Sequence, residues 1–145
     1  MDIVKILLAT LTGTTLMTAF SYLVSEAYNK LFKEPVLLQI MLRLLHVEAN
    51  DNTRLVLGWL IHYIIGLFFV LGYEVAWNHF DIEITWISAL IFGAISGILG
   101  IIGWIIIFSL PSKKPRVHFA EYYLQLFFAH LIFALGAWII YEIYQ

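Results

Sequence analysis

A chain of 145 residues that is 62% hydrophobic and 12% charged carries about half the charge that covers a water-soluble domain of this size; with a mean hydropathy of +0.90, its solvent is lipid. Eight Lys and Arg against ten Asp and Glu leave a net charge of −2, which excludes a basic nucleic-acid binder, and the composition fits neither a disordered chain nor a coiled coil. The absence of Cys excludes disulfides, thiolate metal sites and Cys nucleophiles.

A helix needs about 20 apolar residues to cross the hydrocarbon core. Residues 6–24 form the first such run. Its head carries Asp2 and Lys5, which cancel, and no small-x-small cleavage site closes it, so it reads as a retained span rather than a secretory signal. Pro35 then opens a helix predicted over 35–49, with Glu34 suited to the positive end of its dipole. Gln39, Arg43, His46 and Asn50 recur on one side against a wide apolar face. That pattern describes either an interfacial amphipathic helix, polar side to the headgroups, or a helix packed over the inner mouth of a bundle. Arg43 is also a candidate for a lipid headgroup.

The second span, 55–73, is broken only by His62 and runs into an acidic loop with Glu74, Asp81 and Glu83. His79 with these acids could hold a divalent cation, but their spacing matches no known cage and a solvated loop is the preferred reading. The third span, 84–110, is uncharged and glycine-rich. A basic turn follows, in which Pro111 and Pro115 stop the helix and Lys113, Lys114 and Arg116 suit anionic headgroups. The fourth span, 122–141, is broken only by His130. Seven of the eight basic residues fall in the first and third connections, Lys5 being the exception. The positive-inside rule therefore places those connections in the cytoplasm and both termini outside, with Tyr73, Trp77, Phe80 and Trp86 as an outer aromatic belt.

Spans two and four align with His62 on His130, Gly66 on Ala134, Tyr73 on Tyr141 and Glu74 on Glu142, while spans one and three align more weakly. The chain is thus readable as a two-fold repeat of helical hairpins about an axis along the membrane normal. The two imidazoles then lie at matching depth inside the bilayer, where ionisable groups turn inward and mark function. Thr10, Thr14, Thr18 and Ser21 form a hydroxyl stripe on span one, and Ala89, Gly93, Ser96, Gly97 and Gly100 a small-residue stripe on span three. Gly58 and Gly66 flank His62, so Gly58, Gly66, Gly93 and Gly97 are the predicted packing positions, and Thr10, Thr14, Thr18 and Ser96 the polar interior.

Three roles suit the histidines. Each could bond a hydroxyl or carbonyl on a neighbouring span, for about 0.6–2 kcal/mol of register-fixing. Together they could ligate a haem, the glycines making room for the macrocycle. Or they could line a polar path for protons or a small solute, for which the only nearby carboxylate expected is Glu121. No phosphate loop, nucleophile elbow or zinc motif occurs, so no catalytic or metal-ligating set is assigned.

At Gly58-Trp-Leu-Ile-His-Tyr-Ile-Ile-Gly66 and His130-Leu-Ile-Phe-Ala-Leu-Gly136 the chain resembles a broad set of small bacterial four-span inner-membrane proteins of unknown function. The resemblance implies four helices in a bacterial inner membrane and weight on His62 and His130, and it supplies no substrate. The expectation is an all-α, single-domain membrane four-helix bundle over residues 1–145 with lipid as its surroundings. It is non-enzymatic and works by helix-helix association, as a homo-oligomer or with other membrane subunits. The alternative is a bis-histidine haem protein or a solute or proton protein built on His62 and His130.

Overall fold

The computed structural model describes residues 2–144. These form five helices and no strand: α1 (Ile3–Tyr28), α2 (Glu34–Leu44), α3 (Asp51–His79), α4 (Trp86–Ser109) and α5 (Phe119–Ile143). Four of them, all but α2, are long and apolar enough to cross a membrane. α1, α3 and α5 extend past their apolar runs, whereas α4 lies within 84–110, and side-chain caps start α1, α3 and α4. The Asp2 carboxylate accepts from the N–H groups of Val4 and Lys5, Asn50 accepts from Thr53 N–H, and Thr85 and Ser88 form a capping box at α4.

α1 ends where Asn29 takes a left-handed conformation (φ 51°), with Lys30 N–H reaching back to the Ser25 carbonyl. α2 ends the same way: His46 is left-handed (φ 59°) and Val47 N–H bonds the Leu42 carbonyl. The helix predicted over 35–49 therefore stops at Leu44. His46 and Asn50 leave its polar stripe, Asn50 serving as the cap of α3.

The spans form a bundle in the order α3, α1, α5, α4. α1 packs along α5, α5 along α4 and α1 along α3, while α3 and α4 make no comparably close backbone approach. Glycines permit the close crossings. A Cβ on Gly13 would lie 2.7 Å from the Phe133 carbonyl oxygen, one on Gly93 3.0 Å from that of His130, and one on Gly97 3.0 Å from the Phe127 ring. An exact two-fold repeat would make α3–α4 as close as α1–α5, which it is not, so the bundle departs from two-fold symmetry and is more open on the α3–α4 side. The glutamates differ as well, Glu74 being buried and Glu142 exposed beside Trp138.

α2 folds back against α3 at the end of the bundle that carries the basic connections. A Cβ on Gly58 would meet the Pro35 carbonyl oxygen at 2.5 Å, so that glycine seats α2 on α3. Leu37, Leu38 and Met41 are buried beneath it. Of the two arrangements open to this helix, it packs over the mouth. Its polar side turns to the start of α3 instead of to headgroups: Gln39 donates to the Asp51 carbonyl at 3.0 Å, and Arg43, with Arg54, pairs with the Asp51 carboxylate at 3.0 Å.

At the opposite end, Tyr73 and Trp77 are buried instead of forming a belt. Tyr73 bonds Ser96 at 2.7 Å, Trp77 donates to Ser88 at 3.0 Å, and their rings pack with Phe92, Phe133 and Tyr141 into an aromatic plug. Phe80 and Trp86 remain exposed. Lys5, the exception to the charge sorting, lies 3.6 Å from Glu74 and over the Tyr141 ring, and Tyr141 donates to Glu74 at 2.6 Å. Glu74 is thereby taken out of the acidic loop, and among the described residues no group of three or more His, Asp or Glu is placed to hold a metal ion.

Candidate functional site

Inside the bundle lies a chamber of about 210 Å³ to which every helix contributes. Its polar lining is Thr14 from α1, Glu34 from α2, His62 from α3 and His130 from α5; Phe69, Trp104 and Phe133 supply aromatic wall. The two histidines are both buried and open on this one space.

Hydrogen-bond roles fix their neutral tautomers. Thr18 spends its hydroxyl proton on the Thr14 carbonyl at 2.6 Å, so it accepts from His62, whose Nε2–H donates at 2.9 Å. His130 Nδ1–H donates to the Leu126 carbonyl of its own helix at 2.8 Å. A neutral His62 therefore keeps its lone pair on Nδ1 and a neutral His130 on Nε2. His62 thus bonds a neighbouring span, as a packing role requires, whereas His130 bonds its own helix and its hydrogen bond ties no two spans together.

Glu34 is the residue that sequence reasoning missed. It is 1% exposed, with Ser21 donating to Oε1 at 2.7 Å and Gln125 donating to Ser21 at 2.6 Å. Oε2 has no partner, and neither has the buried hydroxyl of Thr14. Burial pushes the Glu34 carboxyl from its ordinary 4.5 up to about 8, against the lowering effect of hydrogen bonding by Ser21, by its own backbone N–H and by Gln125. The Ser21 proton occupies Oε1, so an acidic proton on Glu34 sits on Oε2. The signal for Glu34 was available: Glu34, Leu37, Leu38 and Met41 stand at i, i+3, i+4 and i+7, one helical face whose first member is the acid. The expected carboxylate, Glu121, is instead exposed and paired with Lys30.

The other predicted residues fall as follows. Thr10, Thr14, Thr18 and Ser96 are all buried, Thr10 donating to the Ile6 carbonyl and Ser96 to that of Gly93. Gly58, Gly66, Gly93 and Gly97 are all in close contact with another element. Lys113, Lys114 and Arg116 are exposed; Arg43, half-exposed, is spent on Asp51.

These contacts bear on haem. The space beside Gly66 is taken by Thr14, that beside Gly58 by Pro35, and that beside Gly100 by the His130 ring itself, whose Cε1 would lie 2.6 Å from a Cβ there. The glycines admit neighbouring groups of the protein and leave no slot for a macrocycle between the imidazoles. The chamber is also below the roughly 300 Å³ at which sites for drug-sized ligands begin.

Comparison with known protein families, characterised proteins and solved structures returns no match. The resemblance around His62 and His130 thus stands on those short motifs alone.

Proposed function

We propose that this is a non-enzymatic, multi-pass protein of the bacterial inner membrane whose interior chamber conducts protons or a small solute by way of Glu34, with His62, His130 and Thr14 as its polar wall. Both termini face outward in this reading, and α2 closes the chamber on the cytoplasmic side. The observation that carries it is Glu34, a buried acid with an unpartnered Oε2, lining one chamber with two imidazoles. A buried ionisable group without a counter-charge is costly and persists where it serves a pathway or a site.

Proton flux into liposomes, read with a trapped pH indicator under an imposed gradient, tests this. Flux should vanish in Glu34→Gln and fall in His62→Ala and His130→Ala. Flux indifferent to all three substitutions would end the proposal.

Association with a second copy or another membrane subunit is a second reading. Most of the glycines that suggested it are consumed within the bundle, but Gly72 and Gly103 meet no neighbouring group. A chain that stays monomeric in native membranes, without a cross-linked partner, would remove this reading.

A further inference from the structure

We infer that the occupant of the chamber is a small hydrophobic organic cation of single charge, admitted from the bilayer between α3 and α4 and exchanged one for one with the proton of Glu34. This rests on the chamber being a solute site, as proposed above, and specifies the solute.

The charge comes from what surrounds Glu34. Each acid that a basic side chain can reach has one: Glu74 has Lys5, Glu26 has Lys33, Glu121 has Lys30 and Asp51 has both Arg43 and Arg54. Glu34 is the buried acid without one among the described residues. Its chain neighbour Lys33 is turned onto Glu26 and the Tyr22 ring. The titratable groups around it are Tyr22 from α1, Tyr122 from α5, His62 from α3 and, across the chamber, His130. α4 contributes Trp104 and has no titratable residue at all. An anion would find a carboxyl and no fixed cation. A cation finds the one charge the site can develop.

The organic character comes from the rest of the wall. A small inorganic cation needs several oxygen ligands, and the oxygen-bearing side chains along the chamber are Glu34 and Thr14, set among apolar residues. Trp104, Phe69 and Phe133 instead present ring surface, which attracts an alkylammonium while desolvating it. The volume of about 210 Å³ is roughly that of seven water molecules at about 30 Å³ each, which suits a compact ammonium and rejects a bulky one.

The route comes from the open side of the bundle. One end is closed by α2 and the other by the aromatic plug. Between α3 and α4 the chamber is rimmed by Ile65 and Leu99, both exposed, and by Gly103, beside which nothing packs. The same Ile65 and Leu99 begin an apolar groove that continues along the seam past Phe68, Gly72 and Ile95. A solute dissolved in the bilayer reaches the chamber along this groove without unfolding either closed end.

The exchange balances. The Oε2–H bond of Glu34 breaks, its proton leaves to the medium, and the carboxylate left behind pairs with the cation, so below pH 8 the chamber is neutral before and after the exchange.

Titration of purified protein in nanodiscs with tetraethylammonium, by calorimetry in buffers of different ionisation enthalpy, tests the inference. At pH 6 about one proton should be released per cation bound, falling towards none at pH 9, and apparent affinity should rise about 90-fold between pH 6 and pH 9, following the Glu34 carboxyl at about 8. Glu34→Gln should weaken binding more than tenfold. Trp104→Leu, which keeps the acid, should weaken it several-fold while leaving the proton count at pH 6 at about one. The uncharged isostere 3,3-diethylpentane should bind without pH dependence and more weakly. Binding unchanged in Glu34→Gln, release of no proton at pH 6, or equal affinity for the uncharged isostere would overturn the inference. Failure to bind tetraethylammonium with Glu34-dependent proton flux intact would remove the cation and leave the solute site standing. Loss of Glu34-dependent flux as well would remove both.

Discussion

Replacing Glu34 by Gln removes one ionisable group from the deepest part of the molecule and should change how stability depends on pH. The carboxyl moves from 4.5 when unfolded to about 8 when folded, chiefly by desolvation. Below pH 4.5 it is protonated in both states and contributes no slope. Between 4.5 and 8 the unfolded chain has released the proton while the folded chain holds it, so stability declines as pH rises. Above 8 both states are ionised and the decline stops. At 1.36 kcal/mol per unit, about 3.5 units amount to at most about 5 kcal/mol across that window. Thermal unfolding in detergent, followed by far-ultraviolet circular dichroism from pH 5 to pH 9, reads this as the difference between the natural chain and Glu34→Gln, in which the other titrating groups cancel. The natural chain should lose several degrees more than the variant as pH rises to 8. Ser21→Ala, which removes the donor to Oε1, should carry the decline to higher pH still. Parallel curves for the natural chain and Glu34→Gln would refute the argument that this carboxyl is buried and unpaired.

Lys5→Met should cost about 3 kcal/mol by leaving Glu74 charged and without its cation, and adding Glu74→Gln should recover most of it; a double variant no better than the single would show that the pair is not coupled. Gly100→Ala should cost about 1–3 kcal/mol, because its Cβ meets the His130 ring at 2.6 Å, whereas Gly72→Ala, with nothing within 4 Å, should be neutral or gain up to about 1 kcal/mol in the same unfolding assay. The chain has no Cys, so single replacements report sidedness cleanly. An impermeant maleimide should label His79→Cys in intact cells and spare Ser112→Cys, and the opposite pattern would invert the topology.

The four spans were legible because lipid leaves little choice: an uncharged run near 20 residues has to be a helix that satisfies its own backbone. Which faces turn inward was legible too. The Thr10, Thr14, Thr18 stripe and the glycines of α4 are small or polar at helical spacing, and a lipid-facing helix has no use for them. What escaped was anything set by the meeting of distant segments. Arg43 looked free for a headgroup because Asp51, its partner, lies beyond the turn that ends α2. Tyr73 and Trp77 looked like belt residues because aromatic residues near a span's end serve both in belts and in plugs, and only Ser96, Ser88 and Tyr141 decide between them. Glu34 looked like a dipole-capping residue at an aqueous surface because the connection that carries it is too short to span. A short connection can still fold inward, and the apolar face of α2 requires it to.

The two buried acids of the molecule define its asymmetry. Glu74 is neutralised by Lys5 and held by Tyr141, so its charge is settled whether or not anything binds, and the rings of Trp77 and Tyr141 pack beside it. Glu34 has a donor on one oxygen, nothing on the other, and an open chamber at its side. A paired acid under an aromatic plug is a device for keeping an end of the bundle shut. An unpaired acid at the foot of a chamber alternates between two neutral states, protonated or bound to a cation, and each is stable only with its partner present. The α3–α4 seam, where the backbones approach less closely than along α1–α5 or α4–α5, opens onto that chamber, and it is there that a small change in helix separation would alter access most. Widening or sealing this seam should therefore change the rate at which Glu34 exchanges its proton while leaving the Lys5–Glu74 pair undisturbed.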